Sequence, residues 1–172
     1  TLYRVQDKGL ENIPDTGAAV LVCNHVSLVD AMLIAGTCHR PVRFVMDRSI
    51  AEMKGLRTFF KIAKTIPICS PKANIEVYEN AFKRIKEELD SGEIICIFPE
   101  GKLTTDGEVD TFKSGIERII KETPVQVVPM ALGGMWGSIF SHKDGHALTK
   151  RPRRFWSKVT LTVSPAQSAA NV

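Results

Sequence analysis

The chain has little of what marks most specialised sequences. Its four cysteines, Cys23, Cys38, Cys69 and Cys96, form no C-x-x-C pair and are too sparse for a secreted disulfide scaffold. Two of them lie inside apolar runs, so reduced, mainly structural thiols in a cytosolic setting are expected. The longest apolar runs, residues 18–23 and 94–99, fall far short of the ~20 residues a membrane-spanning helix needs. Contact between these residues and a bilayer is therefore expected to be peripheral, unless another part of a longer chain spans it. Charge of one sign is scarce: 23 Lys and Arg against 19 Asp and Glu leave a net charge of +4. That excess does not argue for a nucleic-acid partner, but it favours an anionic partner or surface. There is no initiating methionine, signal-peptide pattern, internal repeat or low-complexity tract, and the opening Thr1 is expected to follow residues of a longer, membrane-associated chain. His39, His142 and His146 have no carboxylate or cysteine at zinc-site spacing, so no metal site is expected.

What is present is enough for one domain. At 172 residues and 44% hydrophobic content, the whole chain, 1–172, reads as a single unit able to bury a large core. Residues 18–23, 42–46, 94–98 and 125–130 are short, continuous apolar runs, the pattern of strands covered on both faces. Between them lie helix-period segments at 30–37, 50–64, 74–91 and 111–121. In the third, Tyr78, Phe82, Ile85 and Leu89 recur on one face, and Gly92 follows as a stop. Strand and helix alternating in this way predict an α/β domain, a central and mostly parallel sheet flanked by helices.

Two motifs fall just past the carboxyl ends of predicted strands, where open α/β sheets bind their ligands. The first is NHVSLVD, with Asn24, His25, Ser27 and Asp30. The second is FPEG, with Phe98, Pro99, Glu100 and Gly101, followed by Lys102, Thr104 and Thr105. A His-x4-Asp spacing alone is weak, expected by chance roughly 0.2 times in this composition, whereas FPEG is expected only about 0.002 times. By itself the first motif is equally compatible with a capped helix start, with Ser27 or Asn24 as cap and Asp30 favouring the helix dipole. The chemistry such residues permit is specific. An imidazole can take the proton of an attacking hydroxyl, and a carboxylate on its other ring nitrogen fixes the tautomer and stabilises the imidazolium. His25 is then the base, Asp30 its partner, and the nucleophile is the substrate's own hydroxyl.

The order NHVSLVD, IFPEG, VVPMAL resembles the glycerolipid acyltransferase family, the PlsC or lysophosphatidic acid acyltransferase-like domain, from about residue 20 to about residue 132. Three further stretches, RPVRFVMDRSI, GEIICIFPEGKLTTDG and PMALGGMWGSIF, resemble the bacterial 2-acylglycerophosphoethanolamine acyltransferase branch, in which this domain is often fused to a transporter-like membrane region. The resemblance implies a glycerol-3-phosphate acyltransferase-like fold. It also implies transfer of a fatty acyl group from an acyl-CoA or acyl carrier protein thioester, a co-substrate rather than a bound cofactor, to the free hydroxyl of a lysophospholipid at the cytoplasmic face of a bacterial inner membrane. On this reading Asn24, Ser27 and Phe98 to Lys102 line the substrate site, with Gly101 admitting the acceptor phosphate and Lys102 supplying charge. The family's second block usually ends in an arginine on the phosphate. Here the run is IPICSPK, with Ser70 near that position, and Lys72 is expected to take over. The departure suggests an acceptor other than lysophosphatidic acid. A hydrolase using the same His-Asp pair and a non-catalytic lipid-binding or membrane-recruitment domain are the competing readings.

Segment 50–64 carries a second signal. Leu56, Phe59, Phe60 and Ala63 form one helical face, and Lys54, Arg57, Lys61 and Lys64 a basic stripe beside it. Such a helix can lie in an anionic lipid interface or receive an acidic acyl carrier protein; it can equally pack on the sheet with solvated lysines. KRPRRFW, residues 150–156, is a basic and aromatic cluster of the same ambiguity. GGMWG, residues 133–137, reads as a flexible loop that either shapes an acyl pocket or merely connects. Cys69, beside Ser70, lacks an accompanying histidine signature and is not expected to be a nucleophile.

Overall fold

The computed structural model describes residues 3–52, 57–138, 140–143 and 158–169. Along the chain run β1 (Arg4–Lys8), β2 (Ala19–Cys23), α1 (Asp30–Thr37), β3 (Val42–Asp47), α2 (Arg48–Ala51), α3 (Arg57–Ile62) and β4 (Ile66–Ile68). Then come α4 (Ile75–Asp90), β5 (Ile94–Ile97), α5 (Gly115–Glu122), β6 (Gln126–Gly133) and β7 (Lys158–Val163). The strands form one seven-stranded sheet in the order β1-β7-β6-β2-β5-β3-β4. From β6 to β4 all neighbours are parallel; β7 returns antiparallel to β6, and β1 joins it in parallel. This is the mostly parallel α/β sheet that the alternating pattern predicts.

The continuous apolar runs are explained by burial on both sides. Ala19, Leu21 and Cys23 of β2, with Ile94 and Cys96 of β5, face a core completed by Ile34 of α1 and by β7. Their neighbours Val20, Ile95 and Ile97 point the other way, against Phe82, Ile85 and Leu89 of α4 and Ile116, Ile119 and Ile120 of α5. Helix α4 starts where Asn74 Oδ1 accepts the Val77 amide at 3.0 Å, and Gly92, at φ 82°, turns the chain out of it.

Several expectations change. Segment 50–64 is not one helix: α2 is a single turn capped by Asp47, whose side chain accepts the Ser49 amide at 2.9 Å, and α3 begins only at Arg57. Lys54 and Leu56 lie outside the described residues. Downstream, Ile62 is 77% exposed between exposed Lys61 and Lys64, so an apolar side chain and basic ones share the same solvent-facing end of α3. Helix α5 starts four residues later than predicted, because Lys113 N donates to the Pro99 carbonyl at 2.9 Å and holds residues 111–114 in a loop. Residues 150–156 are outside the described residues. Segment 133–137 is more than a connection: Met135 is fully buried in the core and Trp136 packs on Gly107.

Candidate active site

Strands β2 and β5 are parallel neighbours, with Val22 opposite Ile97, so residues 24–30 and 98–101 leave the same sheet edge about 4.8 Å apart. On the other side β6 pairs Cys23 with Met130. Asn24 extends this pairing with its side chain. Its Oδ1 accepts the Leu132 amide at 2.7 Å and its Nδ2 donates to the Leu132 carbonyl at 3.0 Å. Both functions of the amide are thus spent on the backbone. Asn24, expected to touch substrate, instead fixes the direction in which the next residue leaves the sheet.

That residue is His25. Its Nδ1 lies 3.1 Å from Asp30 Oδ2, and its ring stacks on Phe98 with centroids 4.2 Å apart and planes inclined by 19°. Asp30, fully buried in the first turn of α1, also accepts the amides of Val26 and Ser27 on Oδ2 at 2.7 and 2.8 Å, and the Ser27 hydroxyl on Oδ1 at 2.5 Å. Four donors around one buried carboxylate hold it in a fixed orientation. A tautomer with its proton on Nδ1, facing the aspartate, would leave Nε2 able to accept a proton, and the His25 side chain is 18% exposed. Ser27, expected to line the substrate site, is buried and donates its hydroxyl to this carboxylate.

Glu100 is 2% exposed and turned inward. One oxygen accepts the His25 amide at 2.7 Å and the other the Asp110 amide at 3.0 Å. The Thr104 amide donates in turn to the His25 carbonyl at 3.0 Å. Both backbone groups of the histidine are therefore held by the segment that follows β5. Glu100, expected to line the substrate site, is buried with both carboxylate oxygens engaged by backbone amides. Pro99 is buried and offers its carbonyl to Lys113, while Phe98 provides the surface under the imidazole.

Gly101 adopts φ 65°, and the Lys113 side chain crosses it so closely that a methyl group there would meet Nζ and lie 2.9 Å from Cε. Lys102 is exposed and pairs with Asp110 at 2.7 Å; this hydrogen-bonded partner raises the lysine pKa above its ordinary value and lowers that of the aspartate. Lys72 sits in the turn after β4, three strands from β2 and so roughly 14 Å across the sheet, apart from the other predicted site residues. Cys23, the residue before Asn24, is no rival nucleophile: burial, reinforced by the Asp30 charge, pushes its thiol up to about 12. Asp110 and Lys113 carry no motif signal of their own, and only the folded loop reveals that they meet FPEG. Among the described residues no group of three or more His, Cys, Asp or Glu side chains could hold a metal ion.

Residues 4–133 match the family model described as Acyltransferase. The chloroplastic 1-acyl-sn-glycerol-3-phosphate acyltransferase of Arabidopsis thaliana is 28% identical over 135 residues, 77% of this chain and 36% of that protein. The 1-acyl-sn-glycerol-3-phosphate acyltransferase of Helicobacter pylori is 28% identical over 142 residues, 81% of this chain and 58% of that protein. The crystal structure of the 1-acyl-sn-glycerophosphate acyltransferase PlsC from Thermotoga maritima superposes with a TM-score of 0.75 at 25% identity, over 99% of this chain and 64% of that one. The chain thus spans less than two thirds of the length of each of these proteins.

Proposed function

Since the chain belongs to the acyltransferase family and has a PlsC-like fold, we propose that it moves a fatty acyl group from a thioester to the free hydroxyl of a lysophospholipid. His25 is the general base and Asp30 the residue that orients it. The observation that carries this reading is the Asp30 cage: three backbone or side-chain donors besides the imidazole fix the carboxylate, which fixes Nδ1–H and leaves Nε2 to accept a proton. In the reaction the acceptor hydroxyl passes its proton to Nε2 as its oxygen attacks the thioester carbonyl. The tetrahedral species then expels the thiolate, which takes the proton back from the imidazolium. A new ester and a free thiol result, with His25 returned to its starting state and no acyl-enzyme formed.

The donor is acyl-CoA or an acyl carrier protein. A phosphorylated acceptor is supported by the two relatives above, whose names specify 1-acyl-sn-glycerol-3-phosphate; Ser70, standing where the resemblance expects an arginine, favours 2-acylglycerophosphoethanolamine instead. We place the reaction at an anionic membrane surface, the cytoplasmic face of a bacterial inner membrane, supported by exposed Ile62 flanked by Lys61 and Lys64. No helix among the described residues is long and apolar enough to cross a bilayer. Product analysis with a labelled acyl thioester and each lysophospholipid tests the proposal. New ester is the expected result. Free fatty acid alone would make the protein a hydrolase, and no turnover with any donor would leave a lipid-binding role.

A further inference from the structure

The loop from Gly101 to Ser114 carries two ammonium groups whose surroundings differ. Lys102 pairs with Asp110 at 2.7 Å, and Asp110 is itself pinned: its amide donates to Glu100 at 3.0 Å and its carboxylate accepts the Thr111 amide at 2.7 Å. A phosphate drawn to Lys102 must approach a like charge that cannot easily withdraw. Lys113 has no such companion. Its amide is tied to the Pro99 carbonyl at 2.9 Å, its alkyl chain runs over Gly101, and it forms no ion pair with any of the described residues, though Asp110 senses its charge at longer range. Its ammonium therefore rests on the residue directly after Glu100, whose carboxylate oxygen lies 2.7 Å from the His25 amide. In a lysophospholipid the reacting hydroxyl and the phosphate are separated by only the glycerol carbons, so a cation for the phosphate must stand within that reach of the base.

We infer that Lys113, laid across Gly101, is the residue that receives the acceptor's phosphate, and that Lys102 serves instead to hold Asp110 and the loop in place. The inference rests on the acyl-transfer reading above. Gly101 then has a second purpose besides its positive φ, since any side chain there would displace the lysine from the turn.

Steady-state acyl transfer by the full chain tests it, with glycerol 3-phosphate as a competitor that carries the phosphate without the lipid. Lys113→Ala is expected to raise the KM for the lysophospholipid and the inhibition constant of glycerol 3-phosphate together, roughly tenfold or more, as loss of a charge-assisted hydrogen bond does. The KM for the thioester should stay within about twofold, Lys113→Arg should recover most of the loss, and Lys102→Ala should change the acceptor KM less than Lys113→Ala. Circular dichroism shows whether each variant is folded; Lys113 is exposed, so each is expected to be. Unchanged acceptor KM in folded Lys113→Ala, an equal rise for both substrates, or a larger effect from Lys102→Ala would overturn the inference and leave acyl transfer standing. Wild-type protein that makes no ester overturns the reading beneath it.

Discussion

Asp30 and Glu100 are two buried carboxylates on the same histidine, and they grip it at different ends. Asp30 reaches the imidazole Nδ1; Glu100 reaches the backbone amide and never the ring. Each also accepts backbone donors, Asp30 from its own loop and Glu100 from Asp110, ten residues further along. On the proposed mechanism the same chemical group then does two jobs, one electronic and one positional. The distinction turns on which atom of His25 is touched, since burial is nearly equal, 0% and 2%.

The largest effects should come from the electronic half of this pair. His25→Ala is expected to cut kcat by ~10² to 10⁴-fold with the fold intact, and Asp30→Asn by a comparable factor, because an amide oxygen or nitrogen can hold the ring in the wrong tautomer. Turnover of either folded variant within a few-fold of wild type would remove His25 from the chemistry.

Glu100→Gln comes next and should behave unlike Asp30→Asn. Its amide nitrogen must face one of two backbone N–H donors, so unfolding titrations should show a loss of about 1–3 kcal/mol, with kcat falling only as far as His25 is displaced. The pH dependence of kcat should keep its wild-type midpoint, because the imidazole still rests on Asp30. A variant of full stability with a raised acceptor KM would instead make Glu100 a substrate ligand and erase the comparison. Asn24→Ala should sit just below, at about 1–2 kcal/mol, since it strands the partly buried amide and carbonyl of Leu132.

The smallest effect belongs to Lys102 and Asp110. Hydrogen bonding to Lys102 holds the Asp110 carboxyl below its ordinary value, so whatever the pair contributes is present above about pH 4 and fades as pH falls through the lower folded value. The lysine, raised by the same partner, keeps its share until pH rises past the ordinary lysine range. Denaturation midpoints of wild type and Lys102→Ala should therefore differ slightly near neutrality and converge toward pH 2. A gap that persists in acid would assign Lys102 a contact other than Asp110.

Much of this was legible in sequence, for identifiable reasons. A strand buried on both faces has to be apolar throughout, which exposed β2, β3, β5 and β6 at once, and the rarity of FPEG located the second half of the site. Strand β1 was hidden because Arg-Val-Gln-Asp-Lys is an edge strand with one shielded residue, and β4 because three residues make no pattern. Segment 50–64 read as one amphipathic helix, yet the Asp47 cap starts a separate single turn, and α3 begins only at Arg57. Roles within the motifs were the harder matter. Asn24, Ser27 and Glu100 were identified as site residues, but whether a polar side chain faces substrate or a backbone amide depends on contacts made across 75 to 108 positions for Glu100 and Asn24, which spacing cannot express.

Trp136 gives the molecule an optical reporter of its own. The indole lies against Gly107, so close that a methyl group there would come within 2.9 Å of Nε1, and Gly107 belongs to the loop whose Thr104 amide holds the His25 carbonyl. Any displacement of that loop on ligand binding changes the polarity around one of the two tryptophans in the chain. With Trp156 replaced by phenylalanine, the emission wavelength reports changes in the surroundings of the Trp136 indole beside this loop, in solution, without label or turnover.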